Sequence, residues 1–427
     1  MKPRHIVFAT VGSQGDLFPF LAVGRELVAR GHRVTVGAHA MHREAVTEAG
    51  LDFVMASGIA EPDDKAAFAA RAFHPLRGPR FVVRDLAATD VAASYAALAT
   101  VCRDADAIVT TTLAFAGQIL GETSRGAWLS AVLSPSVFLS ADDPPATGVG
   151  WLDRYLRGST PRGAWLKRAA EMLTSPWTAP VRTFRRSLGL SPVSTWGDPF
   201  HRGQHARDGV LAMYSPLLGA LPADAPANAT VTGWCRYGPG GGVMDATLEA
   251  FLATGTPPLV FTLGSAAVHA GEGFLRESIE AARLLGKRAV LLTGSPLLRE
   301  RMGALPEDVF AVDYAAHGAL FERAAAIVHH GGIGTTHEAL RAGHPSLVVP
   351  HGFDQPDNAA RVARLGVGAV LPAWRYRADR AAAMLCELLG DASTGDRARR
   401  LSERLRAETG ALRTADVIEQ ALSHPRT

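Results

Sequence analysis

Cysteine is scarce. The chain has 427 residues and three cysteines, Cys102, Cys235 and Cys386, far apart and without a CxxC pair. That excludes a disulfide framework and a zinc ribbon, and it suits a reducing compartment. No apolar run reaches the length of about 18 residues that a membrane span needs, and the opening MKPRHIVFAT holds too short an apolar stretch for a signal peptide. A cytoplasmic protein is the expectation, with peripheral membrane contact left open. Neither sign of charge dominates: the formal net charge is +3, and the arginines are interleaved with Asp and Glu apart from short stretches such as RTFRR (182–186). No nucleic-acid footprint stands out. A P-loop, GxxxxGK[ST], is absent, as is any repeat at a solenoid period. The tripeptide HGG resembles a lipase oxyanion loop, but no GxSxG elbow exists to supply its serine, which argues against a hydrolase.

What the chain does have is apolar residues, 47% of it, against 20% charged. This is a globular composition, and the length predicts two domains of about 200 residues each. HIVFAT (5–10) reads as a strand, followed by the loop VGSQGD, a helix with Phe20, Val23 and Leu27 on one face and Gly31 as its stop, and a second strand RVTVGA (33–38). That βαβ unit demands a parallel neighbour and a right-handed crossover. AIVTTTLAF (107–115) and WLSAVLS (128–134) read as further strands, while 56–100 and 136–205 look irregular, with helical fragments such as 164–173. In the second half, the strands 258–265, 288–294, 309–314, 325–330 and 346–351 alternate with helical segments. Unbroken apolar strands between helices describe parallel sheets covered on both faces. The glycine-rich WCRYGPGGGVMD (234–245) is the clearest linker.

In open parallel sheets, ligands bind beyond the carboxyl ends of strands. The loops that follow strands are therefore the informative ones. HHGGIGTTHEAL (329–340) runs from strand through a glycine turn into a helix, placing Gly334, Thr335 and Thr336 at the helix N-terminus. Free N–H groups and the positive end of the macrodipole make that an anion site, and His330 can add a bond to a phosphate oxygen. The same glycines could also form a plain tight turn with capping threonines. Downstream, Asp354 and Gln355 sit just before a helix that starts near Pro356; a carboxylate beside an amide can bond several hydroxyls of one polyol ring. The acids of DAD (104–106) mimic a metal-binding pair but precede a strand, where solvated turn acids are common, so no metal is expected.

Taken together, His330-Gly-Gly-Ile-Gly-Thr-Thr-His-Glu338 and Asp354-Gln355-Pro-Asp-Asn358 resemble the donor motif of the inverting nucleotide-diphosphate-sugar glycosyltransferases. VGSQGDLFPFLAVGRELVARGHRVTVGA is similar to the first βαβ of the bacterial and sterol-type members, and LVFTLGS and DYAAHGALFERAAAIVHHGG match in order and spacing. The rhamnolipid-type rhamnosyltransferases, sterol glucosyltransferases and bacterial natural-product glycosyltransferases look nearest. The resemblance implies the GT-B fold, two facing Rossmann-like domains with parallel sheets: an acceptor-binding domain over 1–235, a donor-binding domain over 236–405, and a C-terminal helix in 406–427 packing back on the first domain. It implies that His330 bonds the diphosphate with help from Ser265, Gly332, Gly334 and Thr335. It also implies that Tyr314 stacks the base with His317 at its edge, that Glu338 bonds the ribose, and that Asp354 and Gln355 hold the sugar. Asp16 falls where such relatives place the general base, although it could equally cap the helix from Leu17.

The expected activity is inverting transfer of a hexose to a hydroxyl of an apolar small molecule, with no cofactor or metal beyond the nucleotide sugar itself. Glu338 favours a ribonucleotide and hence UDP-glucose, with dTDP-rhamnose the alternative. The Trp- and Leu-bearing stretch 151–196 would line part of the acceptor pocket. A nucleotide-sugar epimerase or hydrolase, or an inactive nucleotide-sugar-binding protein, are the competing readings.

Overall fold

Alternation within single strands builds two layered sheets. In β1 (His5–Ala9), Ile6 and Phe8 enter one apolar cluster while Val7 and Ala9 enter another on the opposite face. Both faces are therefore covered, as a parallel sheet requires. The structure, a computed structural model, describes residues 2–60, 62–193, 197–238, 244–264 and 271–423. Its first sheet joins β1 to β2 (Arg33–Ala38), β3 (Asp52–Met55), β4 (Ala107–Thr110), β5 (Ala127–Val132), β6 (Val210–Ala212) and β7 (Ala229–Val231) in the order β3-β2-β1-β4-β5-β6-β7. Each pairing in it is parallel.

The second sheet repeats that winding. β8 (Leu259–Thr262), β9 (Ala289–Leu292), β10 (Val309–Val312), β11 (Ala326–His329), β12 (Ser346–Val348) and β13 (Gly368–Val370) run in the order β10-β9-β8-β11-β12-β13, again parallel throughout. Val260, Val290 and Ile327 face one helix layer, and Phe261, Leu291 and Val328 the other. These are two doubly wound, Rossmann-like sheets, the expected fold. In each, the strand order reverses once, between β1 and β4 and between β8 and β11. The crevice at such a switch point is where ligands bind.

Four strands have no counterpart among the expected ones: β3, β6, β7 and β13. Each has only three or four residues. That is too short for a period-two pattern to show, and their pairing is set by neighbours distant in sequence. The stretches that look irregular are largely helical: Lys65–Ala72, a π-helical turn Phe81–Ala88, Val91–Cys102, Gly150–Leu156, Thr160–Thr174 and Ala179–Ser187. The expected linker 234–245 lies partly outside the described residues. Within the described part, Trp234 and Cys235 are buried rather than free. The last helix, Gly410–Ser423, lies on the first domain: Ala415 and Ile418 enter its core, and Arg30 pairs with Asp416 and Glu419 at 2.6 and 2.7 Å.

Candidate active site

The loop after β1 enters the helix Gln14–Ala29 through a capping box. Ser13 is the N-cap, accepting from the Gly15 N–H at 3.3 Å, and Asp16 stands three residues on. The Asp16 Oδ2 accepts from the Ser13 N–H at 2.8 Å and from the Ser13 hydroxyl at 3.3 Å. Asp16 is therefore the reciprocal partner of the cap and not the N-cap itself. Gly12, at φ +143°, is required here: a Cβ on it would lie 2.2 Å from the Asp16 Oδ2. The His42 ring shares a hydrogen with the Gly12 carbonyl at 3.1 Å and pins the loop from outside. Burial pushes the Asp16 carboxyl up to about 6, against the opposing pull of the Ser13 bonds. A carboxylate poised near neutrality is what a general base needs.

In the second domain, the strand β11 ends on His329 and the chain turns through Gly331, φ +89°, into the helix Ile333–Ala342. The helix has Gly332 at its N-cap and no side-chain cap, so its first N–H groups are left for a ligand. His330 packs edge-on against the turn: a Cβ on Gly332 would lie 2.4 Å from its Nε2. A Cβ on Gly334 would meet nothing within 4 Å among the described residues. The ring of His330 is only 8% exposed, and its Nδ1 is buried with no partner among the described residues. Burial, then the neighbouring His329, His351 and His317, hold its pKa well below the ordinary value. His330 is thus a neutral imidazole with one N–H to give. Thr335 is 9% exposed in the same turn. Ser265, expected to assist at the diphosphate, lies outside the described residues.

Asp354 immediately precedes the helix Gln355–Arg364. Its Oδ2 accepts from the Asn358 Nδ2 at 2.8 Å. Burial raises its carboxyl to about 7; the Asn358 bond opposes this and the charge of Asp16 adds to it. The charge of Asp16, in the first domain, thus reaches Asp354 in the second. Gln355 is 4% exposed and spends its carbonyl on its own loop, accepting from the N–H groups of His351 at 2.8 Å and Gly352 at 3.2 Å. Only its NH₂ remains for a ligand.

Glu338 sits one helical turn beyond Thr335 and is largely buried. Its Oε1 accepts from the Arg236 Nε at 2.9 Å, while its Oε2 is buried without a partner among the described residues. Burial raises its pKa and Arg236 opposes that. Tyr314, whose pKa burial raises with help from Glu338, is 58% exposed, leaving its ring free to stack. His317 instead stacks on Phe321 at 4.7 Å, and burial takes its pKa down to about 4.

Three participants carry no local sequence signal. Arg236 comes from the first domain's exit. Phe353 holds φ +59°, unusual for an aromatic residue, directly before Asp354. Phe73, from the first domain, meets its ring edge-on at 5.4 Å. In the stretch 151–173, Trp151, Tyr155, Trp165, Met172 and Leu173 are exposed, while Leu156 is buried. The acids of DAD lie away from the cleft, at the opposite ends of the strands, where Asp106 accepts from Arg4 and the His5 N–H, each at 2.8 Å. Among the described residues no cluster of His, Cys, Asp or Glu could hold a metal ion. Among the described residues no helix is long and apolar enough to cross a membrane.

Comparison with known proteins identifies the family. Residues 6–136 match the glycosyltransferase family 28 N-terminal domain, and residues 288–420 the erythromycin biosynthesis protein CIII-like C-terminal domain. The chain is 35% identical to the O-mycaminosyltylonolide 6-deoxyallosyltransferase of Streptomyces fradiae, with 97% of each chain covered. It is 30% identical to the vancomycin aglycone glucosyltransferase of Amycolatopsis orientalis, with 85% of each covered. It is also 27% identical to a sterol 3-beta-glucosyltransferase of Arabidopsis thaliana, over 86% of this chain and 60% of that one. The solved glycotransferase of kitacinnamycin superposes with a TM-score of 0.71 at 24% identity, covering 98% and 99% of the two chains. Two doubly wound sheets, with sequence motifs at both switch points and relatives matched from end to end, place this chain in the GT-B superfamily as a glycosyltransferase of the natural-product and sterol type, transferring sugar to a small-molecule acceptor.

Proposed function

We propose that the enzyme transfers a hexose from a nucleoside diphosphate to a hydroxyl of an apolar small molecule with inversion, Asp16 acting as the general base. The observation that carries this reading is that Asp16 and Asp354, in loops that follow strands of the two opposed sheets, are both buried with their carboxyls raised by burial, the charge of Asp16 adding to the rise at Asp354. Asp16 removes the acceptor's hydroxyl proton as that oxygen attacks the anomeric carbon. The bond from that carbon to the diphosphate breaks, and its electron pair leaves on the phosphate oxygen. The open N–H groups of helix Ile333–Ala342 and the N–H of neutral His330 stabilise that charge where it develops. Asp354 and the NH₂ of Gln355 hold the sugar hydroxyls, Tyr314 stacks the base with His317 at its edge, and the unpaired Glu338 Oε2 takes a hydroxyl of the ribose.

UDP-glucose is the donor favoured on Glu338. dTDP-rhamnose is the alternative, and the relative named for 6-deoxyallosyl transfer supports it. Incubating the protein with each nucleotide sugar alone, and then with apolar alcohols and phenols, tests the reading. Transfer only when both substrates are present is the expected result. Turnover of donor without acceptor indicates an epimerase or hydrolase, and binding without turnover a protein that has lost its chemistry.

A further inference from the structure

The amide of Asn358 uses both its ends. Its Nδ2 donates one hydrogen to the Gly331 carbonyl at 2.9 Å, in the diphosphate loop, and the other to the Asp354 Oδ2 at 2.8 Å. With both hydrogens committed inside the second domain, its Oδ1 is left to accept, and it accepts from the Ser134 hydroxyl at 3.2 Å. Ser134 belongs to the first domain, two residues beyond β5. Asn358 is fully buried and Ser134 only 3% exposed, so water does not compete for these bonds. The neighbouring Asp357 makes a second tie, accepting from the Ala146 N–H at 3.0 Å and from Arg361, which also reaches Asp143 at 2.7 Å.

We propose that Ser134 and Asn358 form a positioning relay, through which the apposition of the two domains sets the sugar-holding carboxylate of Asp354 and the carbonyl of the diphosphate loop together. The two N–H bonds set which way the amide faces, and the hydroxyl from the acceptor-side domain, donating to Oδ1, holds it in place over the Asp354 carboxylate and the Gly331 peptide. If the domains separate, the Ser134 bond is lost and the amide keeps only its two N–H bonds, which loosens its hold on both. The sugar is therefore held most firmly in reacting geometry in the closed arrangement. This rests on the reading that Asp354 holds the donor sugar. Neither residue touches substrate in the scheme; both act through Asp354 and Gly331.

The test is a double-mutant cycle of Ser134→Ala and Asn358→Ala, measuring the affinity for the free nucleoside diphosphate, KM for the nucleotide sugar, kcat and thermal stability. Loss of one neutral hydrogen bond gives Ser134→Ala a fall in kcat/KM of about two- to tenfold. Asn358→Ala, which frees two partners, falls by about ten- to a hundredfold. Affinity for the free diphosphate stays within about twofold in Ser134→Ala and falls much less than kcat/KM in Asn358→Ala, which loosens the Gly331 peptide but leaves the helix N-terminus and His330 in place. In the Asn358→Ala background, Ser134→Ala then costs almost nothing more, because the relay is already broken. Additive effects, or equal losses in diphosphate affinity and in sugar transfer, overturn the relay in favour of plain domain packing. Asp354→Ala is the control on the underlying reading. If it fails to separate sugar transfer from diphosphate affinity, Asp354 does not hold the sugar; if it separates them while the relay variants do not, the relay alone is wrong.

Discussion

Replacing Asp16 by Asn should trade activity for stability, and the trade should depend on pH. The folded protein holds this carboxyl at about 6 against an ordinary value of 3.8, with burial the first cause. A group held about two pH units above its ordinary value carries about 3 kcal/mol against its ionised form. The sign follows from linkage. The folded state prefers the protonated acid, so the stability it contributes is complete below pH 3.8 and is lost as pH rises through 6. At pH 5 roughly half of that loss has already occurred, because the unfolded chain is by then mostly ionised. The remaining loss, about 1.5 kcal/mol, appears between pH 5 and pH 8.

Asn at this position keeps an oxygen for the Ser13 N–H but brings an NH₂ that burial leaves unsatisfied, a cost of about 1–3 kcal/mol that does not vary with pH. The difference in Tm between variant and wild type should therefore shift in favour of the variant by about 2–3 °C from pH 5 to pH 8, whatever its value at either end. Loss of the Asp16 charge also relieves Asp354, which works in the same direction. Over the same range kcat/KM should fall about 10²- to 10⁴-fold in the variant, with affinity for the free nucleoside diphosphate unchanged. The wild type should lose kcat/KM on an acid limb near pH 6. Thermal melts at the two pH values and initial rates suffice. A Tm difference that is flat with pH would refute the desolvated carboxylate, and near-normal turnover would reduce Asp16 to a partner in the helix cap.

His330→Ala should weaken binding of the free nucleoside diphosphate by about ten- to a hundredfold and slow transfer with it, since the leaving group gathers charge; an unchanged dissociation constant in a calorimetric titration would remove His330 from the phosphate site. Glu338→Ala should cost UDP more affinity than dUDP, two probes that differ only at the 2′-hydroxyl, and equal losses would show that Glu338 does not read the ribose there. Activity should survive EDTA, the helix N-terminus serving the leaving charge; abolition with rescue by Mn²⁺ would bring Asp104 and Asp106 back as ligands. Along a series of primary alcohols, kcat/KM should rise about fourfold per CH₂ until the acceptor pocket fills, and a flat series would sink an apolar acceptor site.

What could be read from the sequence, and what could not, divides by the range of the interactions involved. β2 was legible to the residue, because an apolar strand covered on both faces carries its signal in its own six residues. The glycine turn after β11 was legible for the same reason: a strand, Gly331, Gly332 and an uncapped helix are consecutive in the chain. The cap at Asp16 was misread by three residues, since a capping box has two acceptors and the sequence alone does not say which of Ser13 and Asp16 starts the helix. β6, β7 and β13, three residues each, stayed hidden because their pairing is set by neighbours distant in sequence, whereas the equally short β12 was read from the longer apolar run around it.

The same reasoning explains which parts of the site were missed. Arg236 reaches Glu338 from 102 positions away, and Ser134 reaches Asn358 from 224. No window of sequence contains either pair. Asn358 itself stood in plain sight within the donor motif, yet its spacing from Asp354 accounts for only one of its three bonds. The other two go to a backbone carbonyl and to the opposite domain. A motif records the contacts a segment makes with itself and with its ligand. The contacts that decide whether two domains present one site together lie between segments, and for a cleft enzyme those are the ones that only the fold displays.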